Sequence, residues 1–304
     1  MTLDTYKSPH SASPAPEGER HKRAKEIATE EHPFRIYMGY DSHEDITFEV
    51  AKHSIESRSS VPVDIFPLKR KELQHRGIYR RDQDPKQTTE FTYCRFFVPY
   101  LSNYKGWAMF VDDDFLWLGD IADLLDYCDD KYAIICVKHD YKPSVTTKLA
   151  GREQSIYPRK NWSSMVLWNC SHPANQNVSL SMINKEGGAF LHRFTWIEDD
   201  SLIGEVPYHW NFLVDWYTPY TEEEIEKKGG KPGAIHYTEG GPWFPDYRDT
   251  DYSKEWFEEL KAYEATLSKP RLLCPYERFS EKGVAPLEGY ANSGDLWDWE
   301  QDEG

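Results

Sequence analysis

The chain lacks an excess of positive charge: 36 Lys and Arg stand against 52 Asp and Glu over 304 residues, a net charge of −16. Nucleic acid and anionic membrane surfaces are bound by basic faces, so neither is expected as a partner. No apolar run reaches the ~20 residues of a membrane span, so no transmembrane segment is expected. The amino terminus is polar and has no apolar signal-peptide core, which points to a cytoplasmic protein. Without a secretory signal, the Asn-x-Ser sequons at Asn161, Asn169 and Asn177 are read as chance. The five cysteines (Cys94, Cys128, Cys136, Cys170, Cys274) are odd in number, scattered, and never spaced Cys-x-x-Cys. That excludes a zinc ribbon and a disulfide framework and leaves free thiols in a reducing compartment. No internal repeat is visible.

Aromatic residues, by contrast, are abundant: 15% of the chain, with 11 Trp and 20 Tyr. Flat rings with a polar handle either fill a core or stack on sugars and bases. Residues 1–32 are rich in Ser, Pro, Lys and Glu and read as a disordered leader, with a short charged helix near 17–31. Residues 33–267 form the folded body, and residues 268–304 an irregular acidic tail that contains Trp297 and Trp299.

Within the body, Arg35 to Asp41 reads as a first strand ending in a Gly turn. Ile46, Val50 and Ile55 then recur at helical spacing behind a cap-like Ser42–Asp45 segment. Strands are expected at Val63–Leu68, Ala108–Val111, Tyr132–Val137, Ser164–Trp168 and Ala234–Tyr237. Helices are expected at Thr88–Leu101, Ile121–Leu125 and, in the main, Trp196–Ile203, with Pro99 obscuring the end of the first. Early strands alternating with helices indicate an α/β fold with a parallel sheet, whose strands' carboxyl ends face the ligand crevice.

One such strand runs into three consecutive aspartates: Phe110-Val111-Asp112-Asp113-Asp114-Phe115-Leu116-Trp117-Leu118-Gly119-Asp120. Adjacent carboxylates repel and are costly to dehydrate. Flanking Phe, Val, Leu and Trp fit a solvated acidic loop poorly, so a divalent cation is the natural partner. In an Asp-x-Asp turn the first and third side chains, Asp112 and Asp114, can converge on Mg or Mn. His236, in Ile235-His236-Tyr237-Thr238-Glu239-Gly240-Gly241-Pro242-Trp243, can complete the set, and the Gly240-Gly241 amides can approach a phosphate. Arg95 is a single charge among Phe, Tyr and Cys, suited to a phosphate or to a carboxylate of the same site. Glu198-Asp199-Asp200 is read either as a helix cap or as carboxylates that orient sugar hydroxyls or serve as a base.

Taken in order, these motifs make residues 34–245 resemble the GT-A-fold glycosyltransferases, most closely glycosyltransferase family 8, the glycogenin and bacterial lipopolysaccharide galactosyltransferase group. The matching segments are Gly39-Tyr40-Asp41, Arg95, Val111-Asp112-Asp113-Asp114 with its downstream Leu118-Gly119-Asp120-Ile121, and His236 through Pro242-Trp243. The resemblance implies a single Rossmann-like mixed sheet flanked by helices. It implies that Asp112, Asp114 and His236 hold Mn2+ or Mg2+ on a nucleotide diphosphate, with UDP the expected nucleotide. Gly39, Tyr40, Asp41, Arg95, Asp113, Gly240 and Gly241 would then contact the donor nucleotide. Asn161 and Ser163, in the Asn161-Trp162-Ser163-Ser164 segment, would contact the donor sugar. Asp199 and Glu198 are the expected catalytic carboxylates, and the acceptor is expected to be a hydroxyl of a glycan or other molecule.

Three departures stand out. Gly241 sits where the family carries a phosphate-binding Lys, leaving Lys231 or Lys160 to substitute; Asp199 replaces a Gln; and Trp162-Ser163 replace Asn-Ala. Donor identity and stereochemistry therefore stay open. Two alternatives remain: a sugar nucleotidyltransferase, which lacks support from any Gly-rich basic loop near the first strand, and a non-catalytic carbohydrate-binding protein.

Overall fold

A computed structural model describes residues 20–82, 87, 89–139 and 159–267. The first half contains α1 (Lys22–Ile27), β1 (Phe34–Gly39), α2 (Asp45–Glu56), β2 (Val63–Leu68), α3 (Arg70–His75), α4 (Val98–Leu101), β3 (Trp107–Val111), β4 (Phe115–Trp117), α5 (Ile121–Leu125) and β5 (Ile134–Cys136). The second half contains β6 (Met165–Asn169), α6 (Pro173–Gln176), α7 (Leu180–Lys185), α8 (Gly188–His192), β7 (Ile203–Glu205), β8 (Phe212–Leu213), α9 (Glu222–Lys228), β9 (Ala234–His236) and α10 (Ser253–Thr266).

The main sheet has six strands in the order β2-β1-β3-β6-β5-β7. It is mixed: β6 runs antiparallel to both β3 and β5, while the β1–β2, β1–β3 and β5–β7 pairs are parallel. The wholly parallel sheet suggested by strand and helix alternation is thus interrupted at one strand, and the mixed sheet implied by the resemblance is present. One edge consequently gathers the carboxyl ends of β1, β3 and β5 with the amino end of β6. Strand alternation gives the sheet two apolar faces. Ile36, Met38, Met109 and Val111 pack on one side; Tyr37, Ala108, Phe110 and Trp168 pack on the other. All five residues of β3 are buried, so the strand that delivers the aspartates is fixed by core packing on both faces. Burying each large side chain contributes about 1.5–3 kcal/mol.

A second sheet of three strands, β4-β9-β8, was not legible in the sequence. Its β4–β9 pairing is antiparallel and sets Phe115 opposite His236.

Two expected helices differ. Residues 94–101 form a 3₁₀ turn followed by the short α4, with Pro99 in its first turn, in place of a helix over Thr88–Leu101. Over Trp196–Ile203 the chain makes a 3₁₀ turn at Asp200–Leu202 and then enters β7, where Ile203 pairs with Ile134. The Asp199 carboxylate caps that turn by accepting from the Ser201 amide, a local bond that competes with helix.

Residues 20–32, placed in the leader by composition, include α1, which buries Ala24. Arg20 and His21 pair with Asp123 of α5, and Arg23 pairs with Asp130. The acidic tail from 268 onward, and the first 19 residues, lie outside the described residues. Among those described, Cys94, Cys128, Cys136 and Cys170 are buried and unbonded, and no helix is long and apolar enough to cross a membrane.

Candidate functional site

The aspartates leave β3 at its carboxyl end, where the Asp112 amide still donates to the Ser164 carbonyl at 2.8 Å. Alternation then separates the three side chains. Asp112 and Asp114 turn to one side, where their oxygens and His236 form a group with ligand atoms all within 4.8 Å of one another. Asp113 turns the other way and is buried, its Oδ2 accepting from the Asp41 amide at 3.1 Å. Burial, then the neighbouring Asp114, pushes the Asp113 carboxyl well above the usual carboxylate range. Its bond to the Asp41 amide ties the loop after β1 to the loop after β3.

The Oδ1 atoms of Asp112 and Asp114 are buried and have no hydrogen-bond partner. Arg95 Nη1 lies 3.1 Å from Asp112 Oδ1, an ion pair that is not aligned as a hydrogen bond. Burial raises the Asp112 carboxyl, with Arg95 opposing it. Two buried carboxylate oxygens that accept no hydrogen bond, beside an imidazole, fit a hard divalent cation, which would add its charge to that of Arg95.

His236 Nε2 stands 3.3 Å from Asp114 Oδ1, and its ring stacks on Phe115 with centroids 4.3 Å apart. A chain of hydrogen bonds fixes which nitrogen is free. Ser164 Oγ donates to the Asn161 carbonyl at 2.7 Å, so it accepts from Asn211 Nδ2 at 2.9 Å. That leaves Asn211 Oδ1, which can only accept, against His236 Nδ1 at 2.8 Å. Nδ1 therefore carries a proton, so in the neutral ring the lone pair is the one on Nε2, the nitrogen that faces Asp114. Asn211 carried no role in the sequence reading, because its partner lies in another strand and no spacing signals the pairing. Asn211→Leu is expected to weaken Mn binding by about 10–100-fold, the usual cost of losing a partner that orients a metal ligand. Calorimetric titration checks this; unchanged affinity would remove the orienting role.

Elsewhere the candidates divide. Arg95 also donates from Nη1 to the Ser163 carbonyl (2.8 Å) and from Nε to the Thr92 carbonyl (3.0 Å). Of the two partners its sequence context allowed, the structure pairs it with a carboxylate. Ser163 is buried and its Oγ sits 2.7 Å from His192 Nδ1, so it is engaged with protein. Asn161 has a buried Nδ2 with no hydrogen-bond partner. Gly39 has a packing reason for being glycine: a Cβ there would lie 2.7 Å from the Phe91 ring. Tyr40 is half-buried with Lys69 Nζ 4.7 Å from its ring centre. Asp41 shapes its loop, accepting from the His43 amide (3.0 Å) on Oδ1 and the Glu90 amide (3.1 Å) on Oδ2.

The closing segment docks on the amino end of α2, since Trp243 Nε1 donates to Glu44 Oε2 at 2.7 Å. Burial pushes that carboxyl up to about 7 against the pull of the Trp243 N–H. Gly241 has the Trp243 ring where its Cβ would be, 2.0 Å away. The Gly240 amide donates to the Tyr237 carbonyl, so it is spent within the turn and not offered to a phosphate. Lys231 is paired with Glu255 of α10. Lys160 is buried with Nζ 4.6 Å from the Trp216 ring centre. Glu198 and Asp199 are exposed, and Asp200 pairs with Arg159.

Sheet order, the acidic turn after β3 and the late His on β9 together define a GT-A glycosyltransferase fold. Among solved structures, the bifunctional glycosyltransferase WbbM matches 75% of this chain with a TM-score of 0.52 at 15% identity. The chain spans about half of that protein, 49% of its length. The galactosyltransferase LgtC, solved with donor and acceptor sugar analogs, matches 75% of this chain and 96% of its own at a TM-score of 0.47 and 10% identity. No family model matches the sequence. The chain belongs to the family of Protein CDI from Arabidopsis thaliana, with which it is 49% identical over 236 residues, covering 78% of this chain and 89% of that protein.

Proposed function

We propose that this protein is a metal-dependent glycosyltransferase that moves a sugar from a nucleotide sugar, a UDP-sugar in the first instance, to an acceptor hydroxyl. The observation that carries the reading is the convergence of Asp112, Asp114 and His236 with two buried carboxylate oxygens that accept no hydrogen bond. Mn2+ or Mg2+ bound there supplies Lewis-acid neutralisation of charge developing on a departing diphosphate. This chain's residues do the rest. Asp112 and Asp114 offer oxygens, Asn211 holds His236 with Nε2 free, and Arg95 offsets the charge of Asp112 while the metal ligands are assembled. Gly39, Tyr40 and Asp41 line the nucleotide side, joined to the metal turn through Asp113. The Gly241 amide faces the phosphates and Asn161 the sugar.

Asp199, and after it Glu198, are the carboxylates assigned to the acceptor side. The Ser201 hydroxyl and amide hold the Asp199 carboxyl below the usual carboxylate range, which makes it a weak base. Asp199→Asn is accordingly expected to slow transfer by less than the roughly 100-fold typical of removing a general base. Steady-state turnover tests this, and a larger loss together with an inverted product anomer by NMR would make Asp199 the base.

The experiment for the reading as a whole is release of UDP from a panel of UDP-sugars, with Mn and with EDTA. A second reading, a non-catalytic carbohydrate-binding protein that binds sugar without turnover, is favoured by one observation: Gly241 stands in place of a Lys and Lys231 is paired with Glu255. It predicts binding with no UDP release. Pyrophosphate release from UTP would instead favour a nucleotidyltransferase.

A further inference from the structure

Beyond the metal group lies an imidazole that nothing above uses. His139 follows β5 at the same sheet edge as the aspartates and is 6% exposed. Its Nδ1 is 2.7 Å from the Tyr217 hydroxyl, and its carbonyl accepts from Trp162 Nε1 at 3.1 Å. Tyr217 is itself wedged against Tyr208 and Phe212, with ring centroids 5.1 and 5.5 Å away. It lies three residues beyond Val214, whose amide donates to the His236 carbonyl. His139 is thus tied through Tyr217 to the segment that follows β8, the strand paired with that of the metal-site histidine. Its Nε2 is buried and has no hydrogen-bond partner, the same condition as Asp112 Oδ1, Asp114 Oδ1 and Asn161 Nδ2. Leaving a buried polar atom unpaired is costly, so a residue locked in that state points to a ligand that pairs it.

The chemistry of the site selects the part of the ligand. Nε2 is a single polar atom enclosed by protein, which suits a small uncharged group. Depending on whether Tyr217 donates to Nδ1 or accepts from it, Nε2 is a donor or an acceptor. A hydroxyl can meet either need, because it both donates and accepts. Trp162, which anchors the His139 backbone, adjoins Asn161, whose Nδ2 is the second unpartnered buried atom. The Asn161 carbonyl in turn accepts from Ser164 Oγ, which Asn211 links to His236, so His139, Asn161 and the metal-site histidine belong to one connected network.

We propose that His139 Nε2 binds a hydroxyl of the donor's sugar ring, making it a residue that distinguishes a sugar nucleotide from the bare nucleotide. The inference rests on the transferase reading above and deepens it. The test is calorimetry with Mn on the wild-type chain, His139→Phe and His139→Gln, using UDP, UDP-glucose, UDP-galactose, UDP-xylose and UDP-N-acetylglucosamine. UDP should bind all three proteins within about twofold, which also shows that both variants fold. At least one sugar nucleotide should lose roughly five- to tenfold in His139→Phe and regain most of it in His139→Gln, whose amide can again pair with a hydroxyl. Wild-type affinities for all four sugar nucleotides in His139→Phe, or a parallel loss of UDP itself, would overturn the proposal. Failure of the wild-type chain to bind UDP at all would sink the transferase reading, and this inference with it.

Discussion

Asp114→Asn is expected to abolish Mn-dependent nucleotide binding while leaving the fold intact. The Asp114 side chain is partly exposed; its carbonyl, which the substitution leaves in place, accepts from the Tyr237 amide and so aligns β4 with β9. What changes is Oδ1, the buried and unpartnered oxygen that faces His236 Nε2 at 3.3 Å. Asn keeps the shape but removes the negative charge, and it offers one neutral oxygen to a cation that prefers carboxylates. Losing an orienting partner alone costs 10–100-fold in metal affinity, so losing the ligand's charge should cost at least about 100-fold. His236→Ala should act in the same direction by removing the lone pair that Asn211 holds in place. For Asp114→Asn, circular dichroism and the melting temperature in EDTA should match the wild type. Mn-dependent binding at wild-type strength in either variant contradicts the metal assignment.

Arg95→Met is expected to give the largest stability loss. Arg95 is buried, lies 3.1 Å from Asp112 Oδ1, and sits over the Phe110 ring at 4.8 Å. Its removal strands the Asp112 carboxylate and two carbonyls, those of Thr92 and Ser163. Breaking a buried ion pair costs about 3–5 kcal/mol, a melting shift on the order of 10 °C for a chain of this size. The sign with pH follows from Asp112, whose carboxyl is raised by burial. A carboxyl raised in the native state binds its proton more tightly folded than unfolded. Native stability therefore falls as pH climbs from the unfolded value toward the raised one, and the fall should extend to higher pH, and so be larger, once Arg95 is gone. Mn restores a positive charge beside Asp112, so its stabilising effect should be larger at pH 7.5 than at 5.5, and larger in Arg95→Met than in the wild type. Asp112→Asn in the Arg95→Met background should recover much of the loss, because the stranded charge is then gone. A melting temperature indifferent to Arg95→Met, in EDTA at both pH values, would show that the pair is not what holds this turn.

Much of this arrangement was legible in the chain because it is local. Val63–Leu68 and Ile121–Leu125 form their elements with the expected bounds, since punctuating residues flank each apolar run. The aspartate turn announced itself by setting three charges between apolar strands. What stayed hidden depends on pairing between distant segments. Nothing in the sequence shows that Phe115 will face His236 across a second small sheet, or that Asn211 will carry a hydrogen-bond chain from Ser164 to His236. Arg95 was singled out by its context, but choosing between a phosphate and Asp112 required the distance. Helix was over-read at Trp196–Ile203, where a local Asp199 cap and the β7–β5 ladder compete with the apolar periodicity. The substitution of Gly241 for a Lys was visible, whereas the commitment of Lys231 to Glu255 was not.

The central claim is that Asp112, Asp114 and His236 form a diphosphate site through a divalent cation. Calorimetric titration of UDP into the protein with Mn, repeated in EDTA, tests it most directly. Binding in Mn that disappears in EDTA is the predicted result. UDP binding of equal strength in both conditions, or none in either, would contradict it.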